Sequence, residues 1–338
     1  MSGIIGHIVF AVLGARAAES RGCALAAVIR SHTDSYLAGA YLGCDIQTMP
    51  EAVCVDTGRE VGYGTVPIER SPLTGGPVRP YTFEFEGRRL SPDQVHALYY
   101  ARAHLTFGWR PDEAHLAVPW EGLPDYFARA ARDAVSLHGP DSRPLAYSLG
   151  WMAHVIGDSL IKSVQPGLSM RLLDGLYTPS NRPIQDLYDF HRIGRQELGI
   201  DWPALLESVA ASPVQPIQAH FMRAAPPRGA LAEGYPGGWA PDQQRLLLAV
   251  LAENRRYLRL YVKSVLADMA LQPAAGGWQC RAELSAQAHG LSFEQMMAAA
   301  EEARLRGTRE FIADAIAKAF GHVARKGVID TARPPARP

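Results

Sequence analysis

The sequence predicts a mainly α-helical protein with a small β-hairpin insertion. Apolar residues recur at helical spacing through most of the 338 residues, and strand-like alternation is confined to two stretches near 60–69 and 80–90. In addition, the chain is 47% hydrophobic and 20% charged, so it can bury a large core, and no internal repeat divides it. We therefore expect one helical domain over 1–330 and a disordered tail over 331–338.

Helices are expected, in chain order, near 3–18, 21–31, 34–44, 92–107, 123–137, 143–162, 183–196, 202–211, 214–223, 240–270, 281–288, 292–306 and 308–325. The helix over 143–162 is the best marked. Asp141 and Ser142 are cap residues, Pro144 suits a first turn, and Gln165-Pro166-Gly167 stops the pattern. The β-formers Tyr63, Val66 and Ile68 alternate in the first stretch, and Tyr81, Phe83 and Phe85 in the second. The turn-rich Ser71-Pro72-Leu73-Thr74-Gly75-Gly76-Pro77 lies between them, which predicts one hairpin inside an insertion over about 50–90. Residues 224–241, with Pro226-Pro227 and Gly234-Tyr235-Pro236-Gly237-Gly238, form a long loop that acts as a lid or a connector. Over 246–269 a long amphipathic helix carries Arg255, Arg256 and Arg259 on its polar side, which reads as a solvated face.

Charge excludes some classes of function. Thirty-four basic residues balance thirty-four acidic ones and are scattered, so no nucleic-acid partner is expected. The four cysteines, Cys23, Cys44, Cys54 and Cys280, form neither a C-x-x-C pair nor a disulfide framework, which fits a reducing cytoplasm. The apolar run over 4–13 resembles a secretion signal only loosely. Met1-Ser2-Gly3 brings no Lys or Arg, the run contains His7, and it continues as an amphipathic helix to Glu19, so the cytoplasm is the expected compartment. No apolar run is long enough to span a membrane.

The chemistry-bearing pattern is His154-Val155-Ile156-Gly157-Asp158. Four-residue spacing puts the imidazole and the carboxylate on one helix face, with Cβ atoms roughly 6 Å apart. Taken alone, the pair is either a buried His–Asp hydrogen bond or two ligands of one metal ion. Leu145, Leu149, Met152 and Ile156 form one apolar stripe, and Tyr147, Trp151, His154 and Asp158 form another. Three more ligand types stand in apolar segments where an unpaired charge would be costly: His7 between Ile5 and Phe10, Asp45 after Gly43-Cys44, and His104 ahead of Phe107-Gly108-Trp109. A shared cation would account for all five. The aromatic residues Phe107, Trp109, Tyr147 and Trp151 are the expected walls of a substrate pocket, although a stripe of this kind is also ordinary core.

The order of an N-terminal His, an Asp after a small-residue helix, a His near a Trp, and Leu149-Gly150 followed by His154 and Gly157-Asp158 resembles the zinc-dependent phospholipase C family. It is similar, too, to the related secreted single-strand nucleases. The resemblance covers roughly residues 1–195 and implies a multi-helix bundle that holds metal ions at the base of a cleft and hydrolyses phosphoesters. By it, Asp45, His104, His154 and Asp158 hold one ion, and Asp158 bridges towards a neighbour near His7. The family pattern departs at Val164-Gln165-Pro166-Gly167, which lacks the His expected there, and at 185–191, where Asp189 and His191 stand out of register. Those two are the candidates for a second ion, and one or two divalent ions are expected in place of a full cluster.

A divalent ion on two His and one or two carboxylates, zinc first and iron as the alternative, lowers the pKa of bound water towards 7 and polarises an ester or phosphoryl oxygen. The leading expectation is a metal-dependent hydrolase acting on a small-molecule or lipid-like ester or phosphoester, with Asp45 as a ligand that also orients the attacking water. No G-x-S-x-G, P-loop or dinucleotide fingerprint offers another nucleophile or cofactor. Two alternatives stay open: a non-heme diiron oxygenase that hydroxylates an apolar metabolite, since His and carboxylate ligands also suit iron, and a non-catalytic helical binding protein.

Overall fold

The computed structural model describes residues 3–42, 49–62, 68–72, 74–95, 122–162, 180–213, 217, 241–275 and 277–326. Its helices are α1 (Ile4–Ser20), α2 (Leu25–Ser31), α3 (Thr33–Leu42), α4 (Leu123–His138), α5 (Arg143–Lys162), α6 (Arg182–Tyr188), α7 (Trp202–Ala211), α8 (Pro241–Asp268), α9 (Ala282–Gln287), α10 (Phe293–Glu302) and α11 (Leu305–Arg325). The mainly helical expectation holds. No described helix is long and apolar enough to cross a membrane.

The centre of the bundle is the crossing of α3 and α5, which glycines permit. A Cβ on Gly150 would lie 1.9 Å from the carbonyl oxygen of Tyr36, and one on Gly39 would lie 2.1 Å from that of Tyr147. No side chain fits at either point, so the two backbones touch directly. Helix α1 packs on the same helix, with the Phe10 ring filling the space beside Gly157. Both stripes of α5 are buried: Leu145, Leu149, Met152 and Ile156, and equally Tyr147, Trp151, His154 and Asp158. A helix covered all round must satisfy its polar side chains inside the protein.

The β insertion differs from the single hairpin that the alternation suggests. Strand β1 (Ala52–Cys54) is the middle of a three-stranded antiparallel sheet between β2 (Glu60–Val61) and β3 (Val78–Pro80), and β4 (Phe83–Phe85) pairs with β5 (Arg88–Leu90). Residues 80–90 therefore fold back on themselves. The cause is Glu86-Gly87, where φ is 47° and 77°, the two positive values that a tight hairpin turn requires. Phe83 joins Leu246, Leu247, Val250 and Leu251 in a second, smaller core, so the insertion lies on the first half of α8. Arg256 is also more than a solvated residue, since it holds Glu60 with two hydrogen bonds of 2.8 Å and so ties β2 to α8. A second hairpin, β6 (Gln272–Ala274) with β7 (Gly277–Gln279), stands where no strand is expected from the sequence.

The helix expected over 183–196 changes character halfway. After α6, residues Asp189–Glu197 form a π-helix, with Leu198 N–H donating to the Ile193 carbonyl at 2.9 Å and Ile200 N–H to that of Gly194 at 2.8 Å. Trp202 explains the widening. Its indole N–H donates to the Phe190 carbonyl at 3.0 Å, and its ring occupies the place of a side chain at Gly194. A group inserted into the helical ladder is one of the recognised causes of such bulges.

Candidate metal centre

Helix α1 supplies His7, and α5 supplies His154 and Asp158 one turn apart. All three are at most 2% exposed, and one nitrogen or oxygen of each lies within 4.8 Å of the others. Among the described residues, this is the group of ligand-type side chains that could hold a metal ion.

The distances test the hydrogen-bond explanation of the pair. Nε2 of His154 is 3.8 Å from Oδ2 of Asp158, and Nε2 of His7 is 3.6 Å from Oδ1. Both separations are too long for a hydrogen bond, so the buried His–Asp bond is not what the structure contains. Ligand atoms placed about 2.1 Å from a tetrahedral ion stand about 3.4 Å apart, close to what is seen. Each carboxylate oxygen faces a different imidazole, and the two rings stack with centroids 3.9 Å apart and planes 17° apart.

The orientation of His154 is fixed by α3. Its Nδ1 lies 2.7 Å from the Ala40 carbonyl oxygen, which can only accept, so Nδ1 carries the proton and donates it. The lone pair of the neutral ring is then on Nε2, the atom that faces Asp158. This backbone support is the usual second-layer partner of a metal-binding His, and it exists because Gly39 and Gly150 let α3 approach α5 closely. His7 is braced by Phe10, edge to face at 6.0 Å.

Asp189 and His191, the candidates for a second ion, are placed elsewhere. Asp189 is fully buried against Arg309, whose Nε lies 2.9 and 3.1 Å from its two oxygens and whose Nη2 lies 2.7 Å from Oδ2. Both oxygens are thus taken by a guanidinium from α11. Burial pushes the Asp189 carboxyl up, and Arg309 opposes it. Arg309 also donates to Gln185 at 3.1 Å and lies over the Phe10 ring, 4.8 Å from its centroid. Beside this network, burial pushes the Asp186 carboxyl up to about 6, against the pull of Arg182. His191 turns away from both, its Nε2 donating to the Met269 carbonyl at 2.9 Å, and burial lowers its pKa.

Tyr147 and Trp151, expected as pocket walls, are core residues. Both are buried, and Trp151 packs edge to face on Phe127 at 5.5 Å. The pattern on α5 is therefore the ordinary core stripe. Asp45, His104, Phe107 and Trp109 lie outside the described residues. Arg309 and Ala40 carry no signal in the sequence. Nothing local marks a backbone carbonyl as a second-layer partner, and Arg309, between Thr308 and Glu310 and one turn from Arg306, reads as a surface residue. Neither a model of a known protein family, nor a curated protein, nor a solved structure matches this chain.

Proposed function

We propose that this chain is a metal-dependent hydrolase, a divergent relative of the zinc-dependent phospholipase C and nuclease bundles, acting on an ester or phosphoester of a small or lipid-like substrate. The observation that carries the reading is the buried His7, His154 and Asp158 group, whose ligand atoms lie within 4.8 Å of one another. His7, His154 and Asp158 hold the ion, and Asp45 and His104 complete the set that the motif order implies. When bound, a divalent ion supplies Lewis acidity and a bound water whose pKa falls towards 7. The chain's own work is positioning. Ala40 holds the His154 tautomer, Asp158 presents one oxygen to each imidazole, and the surrounding helices exclude bulk water, which strengthens every charge interaction inside.

Two imidazoles and one carboxylate are also the donor set of oxygen-activating iron sites, which favours the oxygenase as the second reading. Elemental analysis of protein purified without added metal separates the readings. Stoichiometric zinc with turnover of bis(p-nitrophenyl) phosphate supports the hydrolase. Iron with an oxygen-dependent absorbance change supports the oxygenase. Protein without stoichiometric metal, unchanged in metal content by His154→Ala, removes both readings and leaves a helical binding protein.

A further inference from the structure

A second candidate site shares no residue with the His7, His154 and Asp158 group. The π-helix, α7, the last turn of α8, hairpin β6–β7 and α10 enclose a cleft of about 1220 Å³. That is room for a drug-sized molecule. Its floor is aromatic. Trp202 stacks on Phe190 with centroids 5.0 Å apart and planes 11° apart, and Phe293 meets His191 edge to face at 5.3 Å. At the mouth, Trp278 on β7 is 52% exposed, a large aromatic surface left in water by a protein that buries most others.

Charge is distributed unevenly around the cleft. Arg192 and Arg195 both come from the π-helix wall, and neither makes an ion pair among the described residues; Arg192 donates only to Gln196, at 3.2 Å. Two of the lining carboxylates are engaged with backbone: Asp201 caps α7 by accepting from Ala204 N–H at 3.2 Å, and Glu294 accepts from Trp278 N–H at 2.7 Å. Glu301, on the α10 wall, is exposed to solvent. The guanidinium groups thus remain the cations with donors to offer beside a stack of rings, an arrangement suited to a flat ring system that ends in an anion.

We propose that this cleft binds a planar aromatic molecule carrying one anionic group, such as an aromatic carboxylate, with its ring on the exposed Trp278 above the buried Phe190–Trp202 floor and its anion at Arg192 and Arg195. The π-helix is what makes the site. Its wide turn accommodates the Trp202 ring at Gly194 and presents the two arginines on the same wall.

The test uses the full chain and two fluorescent probes of nearly the same shape, 8-anilinonaphthalene-1-sulfonate and the neutral N-phenyl-1-naphthylamine. The proposal expects saturable binding of one sulfonate probe per chain, at least fivefold tighter than the neutral one. Arg195→Ala should weaken the sulfonate at least fivefold and leave the neutral probe unchanged, whereas Trp278→Ala should weaken both. Both residues are exposed, and circular dichroism confirms that each variant keeps its fold. Absence of saturable binding, equal affinity for the two probes, or an equal effect of Arg195→Ala on both overturns the proposal.

Discussion

His7 and His154 lie ring on ring, 3.9 Å between centroids, although one belongs to the first helix and the other to the middle of the chain. The stack does two separable things: it packs α1 against α5, and it brings two Nε2 atoms to the oxygens of Asp158.

Replacing His7 by Phe separates those roles, because the ring persists and the ligand atom does not. Metal retained after dialysis should fall at least about tenfold, the scale on which loss of metal-site support acts, with an unchanged far-ultraviolet spectrum. Inductively coupled plasma analysis of the variant beside the parent reads the effect directly. Equal metal content in the two proteins would remove His7 from the site.

The contact of α3 with α5 gives a prediction of the opposite kind, in which no ligand is touched. Gly150→Ala places a methyl group 1.9 Å from the Tyr36 carbonyl oxygen and 2.8 Å from the Ala40 nitrogen, so the helices must separate. The cost should be about 3 kcal/mol or more, at the upper end of overpacking penalties. Urea unfolding measures it. Because Ala40 also holds His154, the variant should lose metal affinity together with stability, and a stable variant with weak metal binding would show that the two are not linked through this contact.

Asp186 predicts a pH dependence with a definite sign. Its carboxyl is raised to about 6 in the folded protein from an ordinary value of 3.8, mainly by burial, with Arg182 and Arg309 opposing and Asp189 adding to the rise. A raised acid binds protons more tightly when folded, so this group stabilises the fold least at high pH. Its contribution falls as pH rises from about 4 to about 6, by about 2–3 kcal/mol in all. Asp186→Asn should flatten that part of the stability profile and stabilise the protein at neutral pH. Denaturant midpoints taken across pH 4 to 7 test this, and a variant whose profile keeps the parent slope contradicts it.

Arg309 is the reverse case, a buried cation whose loss strands its partner. Arg309→Met keeps much of the volume over Phe10 but leaves the buried Asp189 carboxyl without the guanidinium that opposes its rise, so it must take up a proton or stay charged uncompensated, which should cost about 3–5 kcal/mol. The double variant with Asp189→Asn should recover a large part of that loss. Thermal unfolding of the two variants distinguishes a stranded charge from lost packing, since recovery is expected only for the former.

How much of this was legible in the sequence depends on whether the deciding contact was local. His154 and Asp158 could be read because four-residue spacing on a helix is itself geometry, and His7 because an imidazole in an apolar helix requires a partner. Asp189 read as a ligand because the sequence places carboxylates beside His191, whereas the guanidinium that occupies it arrives from α11, 120 positions away. The π-helix was invisible for the same reason, since Trp202 and Gly194 force it by meeting in space. The insertion reads as β from its alternation, but its pairing does not follow from it. The decisive turn at Glu86-Gly87 lies inside the second alternating stretch, whereas the longer Ser71 to Pro77 segment is the one that stands out in the sequence. Of the expected ligands and pocket walls, Asp45, His104, Phe107 and Trp109 lie outside the described residues.

The packing of α1 has a further consequence, in the timing of synthesis. Ile316 of α11 fills the space at Gly14 of α1, so the first helix of the bundle rests on the last. During translation α5, which seats the His7 end of α1, is made long before α11, so the two sides of α1 are covered at different times. Until residue 316 has been added, the Gly14 side of α1 lacks the side chain that fills it. A chain cut short before α11 should therefore keep His7 beside His154 while its first helix becomes the segment most open to proteases.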